Sequence, residues 1–189
     1  MSNFFAYLSR MKYIKRWSLM RSTVTENILE HSAEVAQIAH TLATISNLYF
    51  GGNLDADRIG MIGLYHETSE VITGDLPTPI KYYNPEIKSA YKAIEEVANS
   101  KLLSMLPSEL RPTYSELIKP SEKEALIVKA SDKISAYLKC IEEVKCGNGE
   151  FKKAQKSLKA TLDSFDLPEV KYFMDKFVPA YSKTLDELD

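Results

Sequence analysis

Apolar positions recur along this chain every three or four residues, the spacing that lines up one face of an α-helix. Phe4, Leu8, Met11 and Ile14 form the first stripe, with Lys12, Lys15 and Arg16 off it, which predicts a core-packing helix. Residues 16–27 show no period and read as a loop. A second helix is expected from about Ile28 to Ser46, opened by Asn27 and Glu30 in capping-box spacing. Gly51-Gly52-Asn53 is a turn signal, and Asp55 is placed to cap a third helix running from Ala56 to Gly74. Pro77, Pro79 and Pro85 should keep the next stretch from being helical. Asn84-Pro85 then starts a helix with Ile87, Tyr91, Ile94, Ala98, Leu102 and Met105 on one face. A short helix fits between Pro107 and Ile118. Ser121 and Glu124 form a second capping box, opening a helix to about Cys146 that stops at Gly147-Asn148-Gly149. Two more helical patterns lie near Glu150–Ser164 and Glu169–Glu187, the last divided at Pro179. No segment alternates as a strand would, and no repeat or linker divides the chain. The expected fold class is all-α, a compact multi-helix bundle forming a single domain over residues 1–189.

Composition narrows the function classes. The 189 residues are 44% hydrophobic and 26% charged, which suits a globular protein with a sizeable core. A net charge of −2 offers no broad basic field for a nucleic acid polymer. No apolar run is long enough to span a membrane, and the first residues lack the unbroken apolar core of a signal peptide. The two cysteines, Cys140 and Cys146, make no disulfide framework and read as free thiols in a reducing cytoplasm.

One stretch breaks the apolar pattern. LYHETSEVITGDLP, from Leu64 to Pro77, puts His66, Glu67 and Glu70 among apolar neighbours. At about 100° per residue, Glu67 lies roughly 100° and Glu70 roughly 40° from His66, one sector of one helix. Gly63 shares that side and leaves room for something to approach. Acidic groups near a helix C-terminus, or buried without a partner, are unfavourable, and a bound cation resolves both problems. The chain has three histidines. His31 shares a face with Val35, Ile38, Leu42 and Ile45, whereas His40 belongs to the opposite face. Asp132 sits in the apolar context ALIVKASDKISAYL, with a surface salt bridge to Lys129 or Lys139 as its plainer use. Three helices therefore bring two imidazoles and two carboxylates as candidate ligands for one ion; from the residues alone this is a metal site in a helical protein, of unspecified reaction.

The order His31, His66-Glu67, Asp132 resembles the metal signature of HD-domain phosphohydrolases. FFAYLSRMKYIKRW, TENILEHSAEVA, LYHETSEVITGDLPTPIKYYN and VKASDKISAYLKCIEE resemble, more specifically, the YfbR-like bacterial 5'-deoxynucleotidases, over essentially the whole chain. The chain departs from the family pattern at one ligand, where His66-Glu67 replaces His-Asp. The resemblance implies one divalent transition metal (Co, Mn, Zn, Fe or Ni) on His31, His66, Glu67 and Asp132. It implies hydrolysis of a deoxyribonucleoside 5'-monophosphate to nucleoside and phosphate. It implies Glu70 as catalytic acid or base, Arg16 as the reader of phosphate, Trp17 as the residue that discriminates the deoxysugar, and Asp75 as a further active-site acid. A homodimer is also implied. Lys81, Tyr82 and Tyr83 are candidates to border the pocket, and Tyr172, Phe173, Phe177 and Tyr181 form an aromatic stripe suited to core or subunit interface. Two other readings stand beside this one: an HD-type hydrolase of a cyclic nucleotide or nucleoside polyphosphate, and a nucleotide-binding regulatory protein weakened in catalysis by Glu67.

Overall fold

A computed structural model describes residues 1–81 and 83–189. Ten α-helices appear among the described residues: α1 Phe4–Leu8, α2 Ile28–Tyr49, α3 Ala56–Tyr65, α4 Glu70–Thr73, α5 Thr78–Lys81, α6 Pro85–Ser104, α7 Arg111–Ile118, α8 Glu122–Lys145, α9 Lys152–Asp163 and α10 Pro168–Lys176. Short 3₁₀ turns join several of them, and the only extended pairing among the described residues is an isolated antiparallel bridge between Lys15 and Asn27. No helix among the described residues is long and apolar enough to cross a membrane.

The helix starts follow the caps in the sequence. Asn27 accepts from the amides of Leu29 and Glu30 while Glu30 answers the Asn27 amide, and Ser121 and Glu124 do the same for α8. Asp55 and Asn84 cap α3 and α6. The central helices α2, α3 and α8 bury Val35, Leu42, Ile59, Ile62, Ile134 and Leu138 against one another, and α10 closes this core with Val170 and Phe173. A smaller cluster of Phe4, Leu102 and Leu106 ties α1 and α6 together.

Four expectations need correction. The third helix does not run to Gly74: it ends at Tyr65, residues 66–69 form turns, and α4 resumes at Glu70. The Tyr65 carbonyl is taken by both the amide and the hydroxyl of Thr68, and the Gly63 carbonyl accepts from the His66 ring, so side chains replace the helical ladder here. The proline-rich stretch is not wholly non-helical. Pro77 sits just before the single turn α5 and Pro79 within its first turn, where a missing N–H costs nothing. Ile94 is not on a buried face; it is exposed, and only Tyr91, Ala98 and Leu102 of the expected α6 stripe are buried. Finally, the space beside Gly63 is filled by α2 itself. A Cβ there would lie 2.9 Å from the Ala36 Cα, so the glycine is what lets α2 and α3 touch backbone to backbone.

Candidate metal centre

That close approach positions the imidazoles. The Asn27 box fixes the start of α2 and puts His31 on its first turn, while α3 delivers His66 as its C-terminal cap residue. The two rings lie 5.3 Å apart, centroid to centroid. α8 passes beside both with Asp132 near its middle. One donor atom from each of His31, His66, Glu67 and Asp132 falls within 4.8 Å of the other three. Asp132 is not the surface ion-pair residue of its plainer reading with Lys129 or Lys139: its Oδ1 is 3.1 Å from His31 Nε2 and 3.9 Å from Arg16, and its Oδ2 accepts from Lys133 at 2.8 Å.

The donor set fits a transition metal. His66 Nδ1–H donates to the Gly63 carbonyl at 2.7 Å, which in the neutral ring leaves the lone pair on Nε2. Nε2 is buried and has no hydrogen-bond partner; Glu67 Oε1 is 3.3 Å away but off the line a hydrogen bond needs. An orphaned ring nitrogen facing two carboxylates is one that a bound cation would satisfy. The electrostatics agree. Burial works against charge on Glu67 and Asp132, yet without an ion a protonated His66, whose own pKa Glu67 and Asp132 raise against its burial, holds Glu67 below the ordinary carboxylate range in the place a cation would take, and His31 with Lys133 and Arg16 does so for Asp132. Burial and Arg16 lower the His31 pKa, keeping its ring neutral.

The other residues singled out in the sequence lie around this cluster. Glu70 opens α4, buried, where desolvation and the adjacent Glu67 carboxylate push its pKa up, so it carries a proton at neutral pH. Arg16 is not solvated: it donates to Glu26 Oε2 at 2.9 Å and lies 2.8 Å from His31 Nδ1. Trp17 has φ +59°, a left-handed backbone rare for a bulky residue. Its ring packs on Phe151 and its Nε1 donates to the same Glu26 oxygen at 2.9 Å. Asp75 follows Gly74, whose φ of +73° turns the chain back toward the cluster; burial raises the Asp75 pKa, with Arg16 and Lys81 opposing. Lys81 donates to Glu95 and lies 4.8 Å over the Tyr91 ring. Tyr82 lies outside the described residues, and Tyr83 is exposed. Of the aromatic stripe, Phe173 is buried in the core, Tyr172 packs against it and Phe177 is exposed.

Three sets of residues escaped the sequence reading. Glu26 grips both Arg16 and Trp17 from an irregular loop, where no periodicity could reveal it. Glu143, fully buried on α8, accepts from the Thr23 amide and hydroxyl, the Val24 amide, Lys139 and Asn148, pinning the loop that begins with Arg16. Glu34 and Ser135 stand one turn beyond His31 and Asp132, an offset the helical pattern did contain.

The described architecture is that of the HD-domain phosphohydrolases. It superposes on the crystal structure of an HD-domain phosphohydrolase from Listeria innocua with a TM-score of 0.83 at 26% identity, covering 95% of this chain and 88% of that one. A more distant fold match, at TM-score 0.64 and 19% identity over 95% of this chain and 96% of that one, is a cyanophage S-2L HD phosphohydrolase bound to dA and one catalytic Zn²⁺. A sequence model of the family described as 5'-deoxynucleotidase YfbR-like matches residues 3–181, and the chain belongs to that family. Its relatives include a 5'-deoxynucleotidase of Vibrio vulnificus, 52% identical over 99% of this chain and 98% of the relative. Another is the 5'-deoxynucleotidase YfbR of Escherichia coli, 51% identical over 99% and 96%.

Proposed function

We propose that this protein removes the 5'-phosphate from deoxyribonucleoside 5'-monophosphates, giving deoxynucleoside and phosphate. One divalent transition metal (Co, Mn, Zn, Fe or Ni) is held by His31, His66, Glu67 and Asp132. The observation that carries this reading is the convergence of those four donor atoms within 4.8 Å, beside the Arg16 guanidinium and the buried Glu70 carboxyl. The names of the relatives and the zinc of the cyanophage fold neighbour support it.

A bound cation supplies polarisation of a phosphoryl oxygen and a lowered pKa for water. The chain's own residues do the rest. Arg16 and Lys81 face the carboxyls of Glu26, Glu67, Glu70, Asp75 and Asp132, an acidic surround that would repel a phosphate dianion in the cation's absence. Arg16 offers the planar fork that phosphate oxygens favour, and Glu26 and Asp132 aim it. Trp17, locked by Phe151 and Glu26, sets a rigid wall that excludes a 2'-hydroxyl. Glu70 holds a proton for the leaving 5'-oxygen. Asp75, within electrostatic reach of Arg16 and Lys81, is the further acid beside the substrate.

The test is phosphate release from nucleoside monophosphates with and without the 2'-hydroxyl, across divalent metals. Glu70→Gln should lower turnover about 10²–10⁴-fold while the metal stays bound. Normal turnover in that variant removes Glu70 from the mechanism, and equal rates on ribo and deoxy substrates remove the deoxynucleotidase assignment. The same reading carries a single HD-type domain over residues 1–189, a homodimer and a cytoplasmic setting. Exposed Tyr49, Phe50 and Phe177 support a subunit contact, and the free thiols Cys140 and Cys146 support a reducing compartment.

A further inference from the structure

The turn that follows each α2 and α8 ligand carries a polar side chain with no place in the chemistry above. Glu34 stands three residues after His31, and Ser135 three residues after Asp132, so each pair shares a helix face. Across the α2–α8 contact these following turns meet. Ser135 Oγ lies 3.0 Å from His31 Nδ1 and donates to Glu34 Oε2 at 2.5 Å. Ser135 is fully buried, and Glu34 is half-buried.

Proton accounting gives this chain a direction. An imidazole that lends its Nε2 lone pair to a cation keeps its hydrogen on Nδ1. His31 Nδ1 has two near neighbours, Arg16 Nη1 at 2.8 Å and Ser135 Oγ at 3.0 Å. A guanidinium only donates, so the Nδ1 hydrogen goes to Ser135. The serine hydrogen then goes to Glu34, whose carboxylate only accepts. Glu34 thereby supports the ligand through one hydroxyl, as a carboxylate does directly in many histidine-metal sites. Arg16 must also give up its contact with His31 when the ring takes this form, and it keeps Glu26 at 2.9 Å.

We propose that Ser135 and Glu34 are positioning residues for the metal, fixing the tautomer and ring orientation of His31 through the chain His31 Nδ1–H to Ser135 Oγ–H to Glu34. This rests on the metal assignment but not on the nucleotide.

The experiment measures the affinity of the full-length protein for Co²⁺ and Zn²⁺, by competition with a chromophoric chelator and by Co²⁺ visible absorption, with no nucleotide present. Ser135→Ala and Glu34→Ala should each bind about 10–100-fold more weakly than wild type, with an altered Co²⁺ band. Ser135→Thr, which keeps the hydroxyl, and Glu34→Gln, which keeps an acceptor oxygen, should each recover most of the loss. Affinities are compared at a temperature where the chelator-treated variants are fully folded, and the altered Co²⁺ band, which a merely structural role would leave unchanged, marks the positioning role. Ser131→Ala removes an equally buried hydroxyl bonded to Ile127 of its own helix and should bind like wild type. Wild-type affinity in both alanine variants, no recovery in the conservative ones, or no Co²⁺ or Zn²⁺ binding by wild type overturns the proposal. Nucleotide assays that fail while these affinities follow the pattern overturn the substrate assignment alone.

Discussion

Replacing Glu143 by alanine should release the loop that carries Arg16 and Trp17. Five donors converge on this carboxylate: the Thr23 amide at 2.8 Å, the Thr23 hydroxyl at 2.8 Å, the Val24 amide at 3.3 Å, Lys139 Nζ at 2.6 Å and Asn148 Nδ2 at 2.8 Å. Glu143 is 0% exposed and Lys139 6%, so truncation leaves a buried ammonium whose remaining partner is the Val24 carbonyl. Breaking a buried pair from one side costs about 3–5 kcal/mol. The loop donors can turn to water once freed, which favours the lower end, about 3 kcal/mol. With a urea slope near 2 kcal/mol/M, the unfolding midpoint should fall by roughly 1.5 M. Hydrogen exchange locates the loss: the Thr23 and Val24 amides should lose protection before the α2 and α8 cores. The pH dependence has a definite sign. Burial opposes ionisation of Glu143, but Lys139, the Thr23 amide and hydroxyl, and Asn148 outweigh it and hold its pKa at about 2, below the ordinary 4.5. Its stabilisation is therefore complete above about pH 4.5 and is lost as pH falls toward 2, so the gap between wild type and variant should close over that window. An unshifted midpoint at neutral pH, with Thr23 and Val24 still protected, would refute the clamp.

Other perturbations probe the rest of the scaffold and site. Gly63→Ala drives a Cβ to 2.9 Å from the Ala36 backbone and should cost about 1–3 kcal/mol by thermal denaturation, lowering metal affinity as His66 shifts from His31. Trp17→Ala should relax the deoxy-over-ribo ratio of kcat/KM by about tenfold or more, roughly 1–3 kcal/mol; an unchanged ratio assigns sugar selection elsewhere. Chelation of the protein from free metal at about 100 times its Kd should remove roughly 2.7 kcal/mol, read as a melting point lower by about 5–10 °C and restored by metal.

The all-α class, the helix order and the caps were legible because they are local: a capping box is four residues long, and α2 and α8 begin where their boxes say. Two of the four candidate ligands stood out for a related reason. His31 and Asp132 are polar residues set into apolar helical stripes, and the stripe shows which way each faces. The helical pattern puts His66 and Glu67 on one helix face with Glu70, whereas the structure puts them in the turn between α3 and α4. What was hidden depends on chain meeting chain. The break after Tyr65 arises because the side chains of His66 and Thr68 capture carbonyls, which propensity does not encode. Gly63 looked like room for a ligand; only the packing of α2 shows that it is room for a helix. Glu26 and Glu143 act on an aperiodic loop, so no spacing announced them. Glu34 and Ser135 lay in plain helical offset, but pairing them requires the register between α2 and α8.

Glu67 is where the chain departs from the His-Asp pattern, and the geometry gives the substitution a direction. The turn over residues 66–69 sets this backbone outside the helix that ends at Tyr65. From there the longer side chain still brings an oxygen within 4.8 Å of the other three donors and 3.3 Å from His66 Nε2. Glu67→Asp withdraws that oxygen by about one bond length, large against a ligand tolerance of about 0.2 Å. The variant should therefore bind Co²⁺ or Mn²⁺ about tenfold or more weakly than wild type, with turnover restored only in part at saturating metal. A regulatory protein disabled by glutamate makes the opposite forecast, since aspartate would then raise both affinity and turnover. One titration of the two proteins, with chelator competition for affinity and phosphate release for turnover, separates a working glutamate ligand from a disabling one.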